Sequence, residues 1–261
     1  MEIPASTFVP KTYDIYRNLG YWFLLLLVLV FAGFYPTYFS VFLQPKALII
    51  HVHFALMALW IAILIAQPFL IKYRKLAIHR ILGKASYVLV PLALVSAFMM
   101  VRHSYYEFIE LNQNVAQGLN QFTKDEILQQ SAGRQAIALF YVAWFMLFYI
   151  LAVFNRRRTP IHSRYMLATA LTLLGPTVDR IFLFGFKLET LPGSIPIESV
   201  AFVIADAVLI TLLLKDYKDK RPTTALWSCL LIYLSGQVLY FTLPGTNWWQ
   251  PFVAFIMRPE P

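Results

Sequence analysis

Five histidines, at positions 51, 53, 79, 103 and 162, are the residues of this chain best suited to chemistry. Imidazole titrates nearest to neutrality among side chains, and its neutral form is a common ligand of metals and haem iron. His51 and His53 fall near one end of an apolar run, and His103 falls at the matching end of another. His79 and His162 fall at the opposite ends of theirs. Twenty-four residues separate His79 from His103, roughly 36 Å along a continuous helix. The histidines therefore sort into an outer group and an inner pair, one at each face of a membrane-thick bundle.

Two b-type haems need such a layout. Each iron takes imidazole from two helices, with the flat macrocycle packed between them. His53 with His103 form the expected outer pair, with His51 as alternate, and His79 with His162 form the inner one. Met57, Trp60 and Leu64 follow His53 at i+4, i+7 and i+11 and supply an apolar wall, and the same face ends at Gln67. A second chemistry uses the same end of the chain: His51, His53, His103 and Asp179 could hold zinc and activate water. A third reading gives the histidines only structural work at the membrane interface, with no cofactor.

Three further ionisable residues, Arg180, Asp206 and Glu198, fall in or beside apolar runs. Charges at that depth pair or mark a pathway, so a buried Arg180–Asp206 or Arg180–Glu198 pair is expected to join two helices.

The elements that must position these groups are apolar. The chain has 261 residues, 59% hydrophobic and 13% charged; a soluble domain carries about 25% charged residues. That balance excludes a disordered chain and disfavours a soluble globule. Runs of about 20 apolar residues cross a bilayer, and seven qualify: 20–42, 47–71, 81–101, 135–154, 165–186, 198–214 and 224–242. The expectation is an all-α integral membrane protein, a single bundle of seven transmembrane helices, in a bacterial inner or plasma membrane.

Basic residues set the orientation. Fifteen of the 22 lysines and arginines fall on one side, including Lys11, Arg17, Arg74, Arg80, Arg157 and Lys215. The amino terminus is therefore expected inside and the carboxyl terminus outside. The net charge of +9 reads as an inner face suited to anionic lipids, not to nucleic acid. The first run lacks a small-x-small exit and reads as an uncleaved span. With one cysteine, Cys229, no intrachain disulfide can form. Glycine-rich phosphate loops are missing, and so is a lysine in the seventh run that could carry retinal.

Residues 102–134 form the longest outer loop, within which Thr123-Lys-Asp-Glu126 fits a capping box that starts a helix. The tail 244–261, with Trp248 and Trp249, reads as an interfacial anchor. The inner turns Arg74–His79 and Arg157–His162 both end in Ile-His, a weak repeat with an offset of 83 residues.

The segment from His51-Val-His53 to His79-Arg80-Ile-Leu-Gly83-Lys84 resembles a family of uncharacterised bacterial multi-pass membrane proteins. They share a histidine in the second span and a cytoplasmic His-Arg-x-x-Gly turn. The likeness extends to His162, under half the chain, and implies no activity. More remotely, the two-level histidine layout is similar to di-haem bundles of the cytochrome b561 and ferric-reductase type. That similarity implies haem b, transmembrane electron transfer, and a quinone or redox protein as partner. The alternatives are a zinc-dependent membrane hydrolase, a small-solute or proton carrier, and a membrane protein with structural histidines.

Overall fold

The computed structural model describes residues 15–119 and 122–258. Lys11 lies outside them, and the side chain of Arg17 is not described. The chain is helical almost throughout: α1 (Leu19–Phe34), α2 (Leu48–Lys72), α3 (Leu76–Leu119), α4 (Lys124–Phe154), α5 (Thr159–Leu171), α6 (Leu174–Arg180), α7 (Glu198–Lys218), α8 (Thr224–Thr242) and α9 (Trp249–Ile256). Residues Thr190–Leu191 and Ile195–Pro196 pair as a short antiparallel hairpin before α7. Six helical stretches are long and apolar enough to cross a membrane: Leu19–Phe39, Leu48–Lys72, Leu76–Gln113, Lys124–Phe154, Thr159–Gly185 and Thr224–Gly245.

Consecutive helices pack side by side from α1 to α8. Helix α1 touches α2 and α6, and α8 packs on α4, α5 and α7. The main core holds Trp60, Phe148, Leu209, Leu226 and Cys229, all without solvent exposure. Apolar side chains such as Val28 and Val88 on the six apolar stretches stay exposed, as the outer face of a bilayer-spanning bundle requires.

Three expectations need correction. The stretch 102–134 is not a loop. Helix α3 continues unbroken to Leu119, 44 residues or roughly 66 Å, and α4 starts at Lys124. The capping box there is real. Thr123 Oγ1 accepts from the Glu126 N–H, and Glu126 accepts from the Thr123 N–H. Nor does the tail only lie at the interface. Helix α9 docks on the outward part of the α3–α4 pair in a second core of Val101, Tyr105, Ile127, Trp249 and Val253. Trp249 donates to the Ala132 carbonyl at 3.0 Å and is buried, while Trp248 stays half exposed. The fifth run is broken. Pro176 has no N–H and crowds the carbonyl four residues earlier, so α5 ends at Leu171 and α6 starts afresh at Leu174. A wide π-helical turn, Ile181–Gly185, then completes the run, and another, Tyr35–Phe39, ends α1 around Pro36.

Candidate ligand cavities at the two ends of the bundle

Two local devices place the inner histidines. Helix α2 ends at Lys72, and Arg74 takes the left-handed conformation (φ 59°). The Lys75 N–H then bonds back to the Leu70 carbonyl at 2.7 Å, a tight reversal that starts α3 at once. His79 thus sits on the first turn of α3, and its backbone carbonyl accepts from Gln67 Nε2 at 3.2 Å. Pro160 opens α5, where a missing N–H is harmless, so His162 occupies the first turn of that helix.

Both imidazoles line one cavity of about 990 Å³. Its deep walls include Trp60, Leu64 and Tyr149, and Arg74, Arg80, Lys84 and Arg156 stand around its inner end. His162 Nδ1 lies 2.8 Å from the Ala152 carbonyl. A carbonyl can only accept, so Nδ1 carries a proton, and in the neutral ring Nε2 is the nitrogen with the lone pair. This is the arrangement that orients a ligating histidine. Three buried polar atoms in the walls have no partner among the described residues: Trp60 Nε1, Gln67 Oε1 and His79 Nδ1.

A larger cavity, about 1360 Å³, opens at the outer end and is lined by His53, His103, Tyr141, Asp179, Arg180 and Glu198. His53 Nδ1 is 3.0 Å from Ser96 Oγ, and Ser96 donates its single proton to the Ala93 carbonyl at 2.8 Å. Ser96 must therefore accept from His53, which again leaves Nε2 unprotonated. Asp179 is 6% exposed. Its Oδ2 accepts from Tyr141 at 2.9 Å, and its Oδ1 has no partner among the described residues. The backbone near Pro176 makes this contact possible, because a Cβ at Gly175 would collide with the Tyr141 ring. Gly175→Ala is expected to displace Tyr141 and lower stability by about 1–3 kcal/mol, read as the midpoint of unfolding in detergent. An unchanged midpoint would show that the ring moves freely.

The two cavities share a septum. Phe145 lines the outer one, and Trp60 and Tyr149 line the inner one. Trp60 meets Phe145 and Tyr149 edge-on, with ring centres 5.5 and 5.7 Å apart.

His79 and His162 line the same cavity, while the outer pair shares a cavity but not a level. Ser96 marks the height of His53 on α3, and His103 is seven residues further out, roughly 10 Å along the helix. Two axial ligands of one iron must face each other across it, so His53 and His103 do not make a level pair. His51 turns away from both cavities, bonded to Tyr38 at 3.0 Å and edge-on to Phe42. With His51 and His53 diverging, the set His51, His53, His103 and Asp179 is not assembled. No three His, Cys, Asp or Glu side chains among the described residues converge as a metal site.

The expected ion pair is also corrected. Arg180 bonds the Pro176 carbonyl at 3.1 Å and lies over the Phe34 ring, 4.4 Å from its centre. Asp206 instead accepts two hydrogen bonds from Gln237, at 3.1 and 3.0 Å. Glu198 forms no ion pair among the described residues. It stands at the start of α7, where a carboxylate suits the helix N-terminus.

The buried pair lies elsewhere, at the inner end. Arg164 reaches Asp216 Oδ2 through Nε at 3.0 Å and Nη2 at 2.7 Å. The two residues are 4% and 0% exposed. Tyr16 donates to the same oxygen at 2.8 Å, and the Arg164 guanidinium lies 4.0 Å from its ring centre. Burial pushes the Tyr16 phenol above its usual range, so it remains a donor. The reason sequence reasoning missed this pair is that both charges fall in basic turns, where topology alone accounts for them. The usable signal was one acid, Asp216, placed within the last turn of α7 just past the apolar stretch 207–214.

No protein-family model matches the chain, and neither does any curated protein or solved structure.

Proposed function

We propose that this chain is a membrane-embedded haem protein of transmembrane electron transfer, with one b-type haem held in the inner cavity. The observation that carries the reading is the inner pair: His79 and His162 line one cavity from two helices, and the Ala152 carbonyl holds His162 Nδ1, which leaves Nε2 as the nitrogen able to ligate. The residues fit the group. Trp60 and Leu64 offer apolar faces, and Arg74, Arg80 and Lys84 offer cations for two propionates. His79 Nδ1 and Gln67 Oε1 both lack a partner and belong to residues already joined. A ligand at His79 Nε2 would place the proton on Nδ1. A haem held by two imidazoles supplies a one-electron carrier. The edge-to-face rings of Phe145, Trp60 and Tyr149 join this cavity to the outer one, which we assign to the electron partner.

In this reading α7 is a seventh span. It is 21 residues long and its interior acid Asp206 is satisfied by Gln237, so the cost of a charge in the bilayer is offset. The concentration of Lys and Arg around the His79 and His162 end supports a cytoplasmic position for that end, in a bacterial-type inner membrane. Anionic lipids would gather there.

The test is a visible spectrum of protein purified in mild detergent from haem-replete cells. The expected result is a sharp Soret band, with separate alpha and beta bands on reduction. A colourless protein overturns the proposal, and stoichiometric zinc in it would favour hydrolase chemistry.

A further inference from the structure

The wall of the outer cavity holds a cation whose hydrogen-bonding capacity is mostly unused. Arg180 falls in the apolar stretch Thr159–Gly185, five residues inside its outer end, and it lines the cavity. A guanidinium has five N–H donors, and one of them is placed, on the Pro176 carbonyl at 3.1 Å. The Phe34 ring covers one face of the group. Gly33 permits that approach of α1 to α6, since a Cβ there would stand 2.6 Å from the Thr177 carbonyl oxygen. The Nε and Nη2 edge has no acceptor among the described residues, and no ion pair among them includes Arg180. Two carboxyl groups of the same wall are engaged elsewhere: Asp179 with Tyr141, and Glu198 at the start of α7. A charge at bilayer depth pairs or marks a site. The chemistry missing here is an anion, and a planar fork of two N–H groups matches the two oxygens of a carboxylate.

Access decides what carries that carboxylate. Val28 and Phe31 on α1 and Phe184 after α6 line the cavity and are 62%, 51% and 51% exposed. All three belong to stretches apolar enough to lie in a bilayer, so the cavity has a side open toward the acyl chains. An anion entering there brings a hydrocarbon tail. Its head must also descend, because Arg180 lies five residues from Gly185, roughly 8 Å along a helix. A carboxylate that ends a single chain reaches that depth. A phospholipid phosphate, with a polar headgroup beyond it, stays nearer the surface.

We infer that the outer cavity binds the carboxylate of a long-chain fatty acid, its two oxygens on the Arg180 fork and its chain along Val28, Phe31 and Phe184. The acid lies along α1 and α6, whereas Phe145 of the septum is on α4, so the electron partner keeps a wall of its own. Haem in the inner cavity is not needed for this site.

The probe is tritiated palmitic acid, titrated by equilibrium dialysis against the full chain in phosphatidylcholine nanodiscs, with empty nanodiscs as the blank. The expected result is a saturable increment over the blank, at least about tenfold weaker for methyl palmitate and for Arg180→Gln. Arg102→Gln removes a cation outside the cavity, over the Tyr106 ring, and is expected to bind like wild type. Equal binding of methyl palmitate overturns the inference on wild-type protein alone, whatever the folding of the variants. An increment that does not saturate overturns it too, as does an equal loss in Arg102→Gln, which would mean attraction by surface charge in general. Displacement by hexadecylphosphocholine as effective as by unlabelled palmitate would give the site to a phosphate head instead.

Discussion

Asp216→Ala is expected to lower the stability of the protein by about 3–5 kcal/mol, because it leaves a buried guanidinium without its counter-charge. Arg164 is 4% exposed and directs two N–H groups at one Asp216 oxygen. The Tyr16 hydroxyl loses the same acceptor. The carboxylate lies at the end of α7, Arg164 near the start of α5, and Tyr16 just before α1, so three parts of the chain loosen together. Asp219→Ala offers the contrast. Its pair with Lys215 spans 3.3 Å with both side chains more than a fifth exposed, and its loss is expected to cost under about 1 kcal/mol. Denaturant unfolding in detergent reads both. Equal, small losses would show that the Arg164–Asp216 contact does not anchor the inner end.

His162→Ala is expected to weaken haem binding by at least about a hundredfold. It removes an iron ligand, and even the loss of an outer-shell partner brings roughly 10–100-fold. His79→Ala should do the same, whereas His53→Ala should leave haem content unchanged, since His53 lines the other cavity. His53 on α2 lies 14 residues from Gln67, roughly 21 Å away, so the two effects cannot be confused by proximity. Haem titration of the apoprotein, followed at the Soret band, measures all three. If His53→Ala abolishes binding and His162→Ala does not, the cavities have been assigned the wrong way round.

The membrane architecture and the capping box at Thr123 could be read from the chain because hydropathy and helix-start chemistry are local. Apolar runs of bilayer length survive any packing, and a Thr-x-x-Glu box works within one turn. The placement of His79 and His162 at one end of the bundle was legible for a related reason. Each histidine falls within the first turn of its helix, so both heights follow from the basic turns before them. The outer pair failed because height along one helix says nothing of level across two. Only the His53–Ser96 bond shows that His103 stands two turns too far out. The Arg180 pairing failed because an aromatic face and a carbonyl hold the guanidinium instead. Likewise, the long reach of α3 was hidden by its polar outer half, which reads as a loop until α9 and α4 are seen to cover it.

The number of haems per chain tests the central claim most directly. A pyridine haemochrome assay on protein from haem-replete cells, normalised to protein by amino-acid analysis, counts them. A single haem held by His79 and His162 predicts one b-type haem per chain. Two per chain would mean that the outer histidines ligate after all, and none would leave the inner cavity without the role given to it here.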